Sequence, residues 1–137
     1  MRIAFVYTNK DRGLVEITRF MVGLFEKAGC TVKTIEVEST TSPVNFRPFD
    51  LVLVGSHVTS AWGGRISPEV TNFLQGVSGM EGKRSVAYIR PGLFGKDKAL
   101  RRLMSQMEST GAFVVDFEAV GNESEAKKLV ERHVKRG

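Results

Sequence analysis

The chain has 137 residues, 42% of them hydrophobic and 26% charged, which is the length of one domain with a single core. No apolar run reaches the ~20 residues of a membrane-spanning helix, and the N-terminus lacks the layout of a signal peptide. A lone cysteine, Cys30, excludes an intrachain disulfide framework, so we expect one cytoplasmic domain over residues 1–137. The net charge of +5 permits an acidic partner without identifying one.

Apolar runs too short for helices alternate along the chain with segments of helical period. The runs predict five strands, at 3–8, 31–38, 50–56, 85–89 and 112–120. We expect the second strand to lie at an edge of the sheet and the third to be buried at its centre. Between these two strands, Pro43 and Pro48 interrupt residues 39–49, so this segment predicts a loop or a single turn.

The segments of helical period predict four helices. The first can end at Gly29, and the second begins at Pro68 after the N-cap Ser67 and runs to residue 76. The third spans 97–110, and Asn122 caps the fourth. The residues expected to face the core are Leu14, Ile17, Met21, Leu24 and Ala28, then Val70, Phe73 and Leu74, then Leu100, Leu103, Met104 and Met107, and finally Ala126, Leu129, Val130 and Val134.

Strands that alternate with helices predict a three-layer α/β/α domain with a parallel sheet. In such a sheet, ligands bind beyond the carboxyl ends of the strands, where the strand order reverses. The segments expected to form a site are therefore 8–13, 55–66 and 90–96, together with the turn near residue 120.

The third strand and the segment after it resemble a known family. The strand ends in VGS, and the later WGGRISPEVTNFL is similar to the second flavin loop of flavodoxins and flavodoxin-like reductases. The chain length and the last strand, GAFVVDFEAVG, also resemble that family. The resemblance implies a flavodoxin-like fold with strand order 2-1-3-4-5. It also implies an FMN-binding electron carrier or small FMN-dependent oxidoreductase with no covalent catalytic residue.

The same resemblance implies roles for residues of three loops. Trp62 would stack on the flavin ring, with Phe94 as a second aromatic wall, and glycines would let the backbone approach the ring. Arg65 and Arg90 would stabilise a negatively charged reduced flavin, which suits an acidic redox partner. Trp62 as a hydrophobic lid or interface residue, and Phe94 as a core residue, remain open alternatives. The implied flavin-binding residues are Thr8, Asn9, Lys10, Arg12, Gly13, Ser56, His57, Trp62, Gly63, Gly64, Arg65, Arg90, Gly92 and Phe94.

The first loop departs from the family pattern. Flavodoxins have a hydroxyl-rich segment there, around Thr-Gly-Asn-Thr, that holds the FMN phosphate at the start of the first helix, whereas this chain has YTNKDRGLVE. Asp11 places a carboxylate at the phosphate position unless it caps the helix, and Lys10 and Arg12 either contact the phosphate or are solvated. The alternative function is therefore a binding module that has lost FMN and binds a protein or another anionic ligand.

Other chemistries find little support in the sequence. The strand ends YTN and VGS lack the aspartates of a response-regulator receiver, and the position six residues after Cys30 is Glu36 rather than the arginine of a small phosphatase. We expect Cys30 to be a small buried apolar residue. Cys30, His57 and His133 lack metal-ligand spacing, and His57 is expected to bond a loop or a ligand. Dispersed basic residues argue against nucleic-acid binding.

Overall fold

The computed structural model describes residues 1–59 and 64–134, which form a parallel sheet covered by helices on both faces. The five strands lie in the order β2-β1-β3-β4-β5, and each neighbouring pair is parallel, as predicted. The strands are β1 (Arg2–Tyr7), β2 (Thr31–Glu36), β3 (Leu51–His57), β4 (Arg84–Arg90) and β5 (Phe113–Ala119). The helices are α1 (Arg12–Lys27), α2 (Pro68–Leu74), α3 (Lys96–Glu108) and α4 (Glu123–His133).

The three inner strands are buried almost throughout, which explains their continuous apolar runs. Successive side chains of a strand point to opposite faces, so the sheet separates two hydrophobic cores. Helices α1 and α4 cover one core, which contains Phe5, Leu53 and Tyr88. Helices α2 and α3 cover the other core, which contains Val6 and Val54. This division confirms the three-layer prediction.

The edge strands β2 and β5 are only partly buried, as predicted for the second strand. The segment after β2 has one 3-10 turn, Val37–Ser39, and no further helix before β3, which confirms the prediction of a loop or single turn. Phe46 and Phe49 from this segment are buried beneath it, with ring centroids 6.0 Å apart. These two rings hold an otherwise irregular connection against the core of α2 and α3.

Local capping signals in the sequence are confirmed. The Ser67 hydroxyl accepts the Val70 N–H at 3.3 Å, and the Asn122 side chain accepts the Glu125 N–H at 2.9 Å. The predicted stripe of α1 was wrong at its last position. The helix ends at Lys27, so residue 28 is exposed, and Phe25 is the fully buried residue instead.

Two further observations bear on the sequence predictions. Cys30 is half-buried at the margin of the core under α1, rather than fully buried. Among the helices that the structure describes, none is long and apolar enough to cross a membrane.

Candidate functional site

Three loops meet at the carboxyl edge of β1, β3 and β4, where the sequence predicts a site. They are called the first, second and third loops, after the strands β1, β3 and β4 that they follow. The Arg90 side chain packs directly on Gly13. A Cβ on that glycine would lie only 1.8 Å from Arg90 Nε. Gly64 adopts φ +57°, and a Cβ there would lie 2.8 Å from the carbonyl oxygen of Gly95. The first loop therefore contacts the end of β4, and the second loop packs on the third. Only glycine allows so close a backbone approach at residue 64.

The first loop is held by a carboxylate from the turn after β2. Thr8 is fully buried, and its hydroxyl donates to one oxygen of Glu38. The Asn9 N–H donates to the other oxygen of Glu38 at 2.9 Å. The Lys10 N–H donates back to the Thr8 hydroxyl at 3.1 Å, and the Asn9 side chain donates to Glu36 at 3.2 Å. The polar groups at this end of β1 are thus bonded within the protein.

A second carboxylate lies at the start of α1. Asp11 is the N-cap, and its Oδ2 accepts the Leu14 N–H at 2.9 Å. Arg90 Nε lies 3.6 Å from the same oxygen. Asp11 therefore caps the helix, and its charge also compensates the positive end of the helix dipole. Lys10 and Arg12 are exposed.

The phosphate of FMN does not fit this arrangement. A phosphate in the first loop would be expected to accept from hydroxyl and backbone donors at the start of the first helix. Here the Thr8 hydroxyl and the Asn9 N–H donate to Glu38, and the Leu14 N–H donates to Asp11. A dianion at this place would both compete for these donors and be repelled by two carboxylates.

The Gly-Ser end of β3 has a structural explanation of its own. A Cβ on Gly55 would lie 2.2 Å from Cζ of the buried Tyr88 ring, so glycine leaves room for that ring. The Ser56 side chain is fully buried, donates to the His57 carbonyl at 3.0 Å and accepts the Ser67 N–H at 2.9 Å. Ser56 thereby ties the end of β3 to the start of α2.

The rest of the second loop is described only at its two ends. Trp62 and Gly63, which the sequence places against a flavin, lie outside the described residues. The Thr59 N–H donates to the Arg65 carbonyl at 2.9 Å, and Arg65 is exposed. Arg65 therefore lies at the same edge of the sheet as Arg90, with its side chain accessible to an anionic ligand.

A histidine side chain lies at the end of β3, and two exposed apolar side chains follow β4. His57 pairs in register with Arg90, and its Nδ1 is buried without a hydrogen-bond partner within residues 1–59 and 64–134. Beyond β4, Gly92 is exposed, and Leu93 and Phe94 are 91% and 54% exposed. Phe94 is therefore not a core residue, and this edge of the sheet presents apolar side chains to solvent.

Sequence reasoning missed Glu36 and Glu38, the two carboxylates that bond to the first loop. They lie 27 to 30 residues from their partners, so local pattern did not connect them. The strand order could have indicated this contact. Because β1 and β2 are parallel neighbours with Tyr7 opposite Glu36, the residues that follow the two strands lie side by side. Burial and the nearby Glu36 carboxylate raise the pKa of Tyr7, whose hydroxyl lies 3.5 Å from that carboxylate.

His133, which the sequence analysis considered as a metal ligand, lies away from the three loops. His133 bonds to Asp116 at 2.7 Å, on α4 and β5. The part of the chain that the structure describes contains no group of three or more side chains placed to hold a metal ion.

Comparison with known proteins gives a consistent answer at the level of the fold. No family model and no curated protein matches the sequence. Oxidised flavodoxin 1 from Bacillus cereus matches with a TM-score of 0.75 at 12% identity, over 98% of this chain and 100% of that one. Two-electron reduced flavodoxin from Megasphaera elsdenii matches with a TM-score of 0.75 at 20% identity, over 98% and 99%.

A third solved structure is a flavodoxin bound to flavin mononucleotide, from Fusobacterium nucleatum. It matches with a TM-score of 0.65 at 16% identity, over 83% of this chain and 68% of that chain. At identities this low, the matches show similarity of the fold alone. The chain has the flavodoxin-like fold.

Proposed function

We propose that the protein binds a flavin ring at the carboxyl edge of β1, β3 and β4 and serves in electron transfer. The observation that carries the proposal is the meeting of three loops at this edge, through Arg90 on Gly13 and Gly64 on Gly95. This is the edge where open parallel sheets bind ligands. Further support comes from the fold, since a solved structure that shares it is a flavodoxin bound to flavin mononucleotide.

The proposed ring site uses aromatic and polar side chains of the second and third loops. Phe94 is 54% exposed in the third loop, and we assign to it and to Trp62 the role of stacking on a planar ring. The buried Nδ1 of His57 offers a hydrogen bond to a polar ring edge. Arg65 contributes positive charge, whereas the charge of Arg90 is shared with Asp11. A bound flavin would supply the electron chemistry itself.

The test is a flavin titration with a matched pair of variants. Binding of riboflavin or FMN should quench the flavin fluorescence and shift the absorption spectrum. Phe94→Ala should weaken binding about tenfold, because a stacked ring is lost. Phe117→Ala is the control, because Phe117 is 52% exposed on β5, away from the three loops. No binding of either flavin at high micromolar concentration would contradict the proposal.

A second candidate is a binding module that has lost the flavin. The observation that favours it is the first loop, where the Thr8 hydroxyl and the N–H groups of Asn9 and Leu14 already bond to Glu38 and Asp11. In this case the exposed Arg65, Leu93 and Phe94 would contact an acidic protein partner, in keeping with the net charge of +5. The flavin titration separates the two candidates, because the module predicts no quenching by either flavin.

A further inference from the structure

We infer that the flavin of this site carries no phosphate: Glu38 and Asp11 fill the place of the phosphate, so a non-phosphorylated flavin such as riboflavin binds in preference to FMN. This inference rests on the proposed function, because it names the chemical class of the flavin. It follows from the hydrogen bonds of the first loop and from the charges of the two carboxylates.

The first step is the geometry of Glu38. Its two oxygens accept separately from the Thr8 hydroxyl and the Asn9 N–H, much as two oxygens of a phosphate would. The one proton of the Thr8 hydroxyl is therefore used, and its oxygen already accepts from Lys10. A phosphate would gain these donors only by displacing Glu38.

The second step is that the backbone of Glu38 is held in place by its own turn. It lies in the 3-10 turn Val37–Ser39, where Val37 is buried in the core under α2 and α3. The preceding residue, Glu36, is the last of β2 and pairs with Tyr7. Displacing the Glu38 carboxylate therefore requires its side chain to turn away into solvent while the backbone stays fixed.

The third step is the start of α1, which in this fold would be the other half of a phosphate site. Asp11 Oδ2 accepts the Leu14 N–H, and Arg90 lies against both Asp11 and Gly13. The helix end is thus neutralised by a carboxylate, and its neighbouring cation is already paired. A phosphate here would meet two negative charges, whereas an uncharged ribityl hydroxyl could donate to either carboxylate without that repulsion.

The experiment compares riboflavin with FMN by fluorescence quenching on wild type, Glu38→Gln and Glu26→Gln. Wild type should bind riboflavin at least about tenfold more tightly than FMN. Glu38→Gln removes one charge and should shift that ratio toward FMN by about fivefold or more. Glu26→Gln is the control, because it removes the same charge from an exposed residue near the far end of α1 from the first loop, and it should leave the ratio unchanged.

The outcomes separate the two claims. Wild-type protein that binds FMN as tightly as riboflavin, or more tightly, overturns this inference and leaves the proposed function standing. Failure to bind either flavin overturns both. An independent readout needs no flavin: the amide signals of Asn9 and Leu14 in a nitrogen-15 NMR spectrum should show no saturable shift with inorganic phosphate. A saturable shift of both amides would show that phosphate displaces the carboxylates, and would overturn the inference.

Discussion

The hydrogen bond between Thr18 and Tyr88 allows a quantitative test of how the α1 core is held together. The two side-chain oxygens lie 2.7 Å apart, and both residues are fully buried, one on α1 and the other on β4. Burial raises the pKa of Tyr88 well above its ordinary value, so the phenol is neutral at every pH of interest. The contact is therefore a neutral hydrogen bond without access to water.

Removing one partner should cost more than removing both. Tyr88→Phe leaves the Thr18 hydroxyl buried without this partner, and Thr18→Val does the same to the phenol, so each should lower the free energy of unfolding by about 1–3 kcal/mol. The double variant removes both polar groups and keeps the ring contact with Phe5, whose centroid is 6.0 Å away. We expect it to cost less than about 1 kcal/mol, which makes the two changes strongly non-additive.

Urea unfolding of the four proteins, followed by far-ultraviolet circular dichroism, measures this coupling. Tyr7→Phe is the control for losing a phenol hydroxyl, because the Tyr7 contact with Glu36 is long, at 3.5 Å. We expect the control to cost less than about 1 kcal/mol. Additive costs of the two single variants, or a Tyr88→Phe protein as stable as wild type, would refute the reasoning.

Three further predictions concern stability. Gly23→Ala should raise the free energy of unfolding by up to about 1 kcal/mol and shift the urea midpoint upward, because Gly23 lies within α1 with open space around it; an unchanged midpoint would contradict this. Gly64→Ala should lower the free energy of unfolding by more than about 1 kcal/mol, because φ is +57° and the new Cβ meets a backbone carbonyl at 2.8 Å; a wild-type melting temperature would count against it. Burial opposes ionisation of Asp116, but hydrogen bonds from Arg132 and His133 keep its pKa below the ordinary value. Asp116→Asn should therefore cost about 0.5–1 kcal/mol at pH 7, and melting curves should converge with wild type as the pH falls below about 4; a gap independent of pH would be inconsistent with this.

The sequence by itself determined the layers of the fold. Alternating apolar runs and helical stripes depend on residues close together in the chain, so the five strands, the loop at 39–49 and the caps at Ser67 and Asn122 could be predicted. The sequence also indicated that three loops would lie at one edge of the sheet, because parallel strands all end there, and the structure brings those loops together. It failed at Ala28, because the last turn of α1 ends one residue earlier.

Only the tertiary structure decided the chemistry of the first loop. Glu38 reaches Thr8 across 30 residues because β2 lies parallel to β1 at the edge of the sheet. Arg90 reaches Gly13 because the end of β4 lies over the start of α1. Contacts of this kind depend on strand order and register, which local periodicity does not specify. The sequence therefore showed that the first loop departs from the Thr-Gly-Asn-Thr pattern, and the fold showed which carboxylates bond to it.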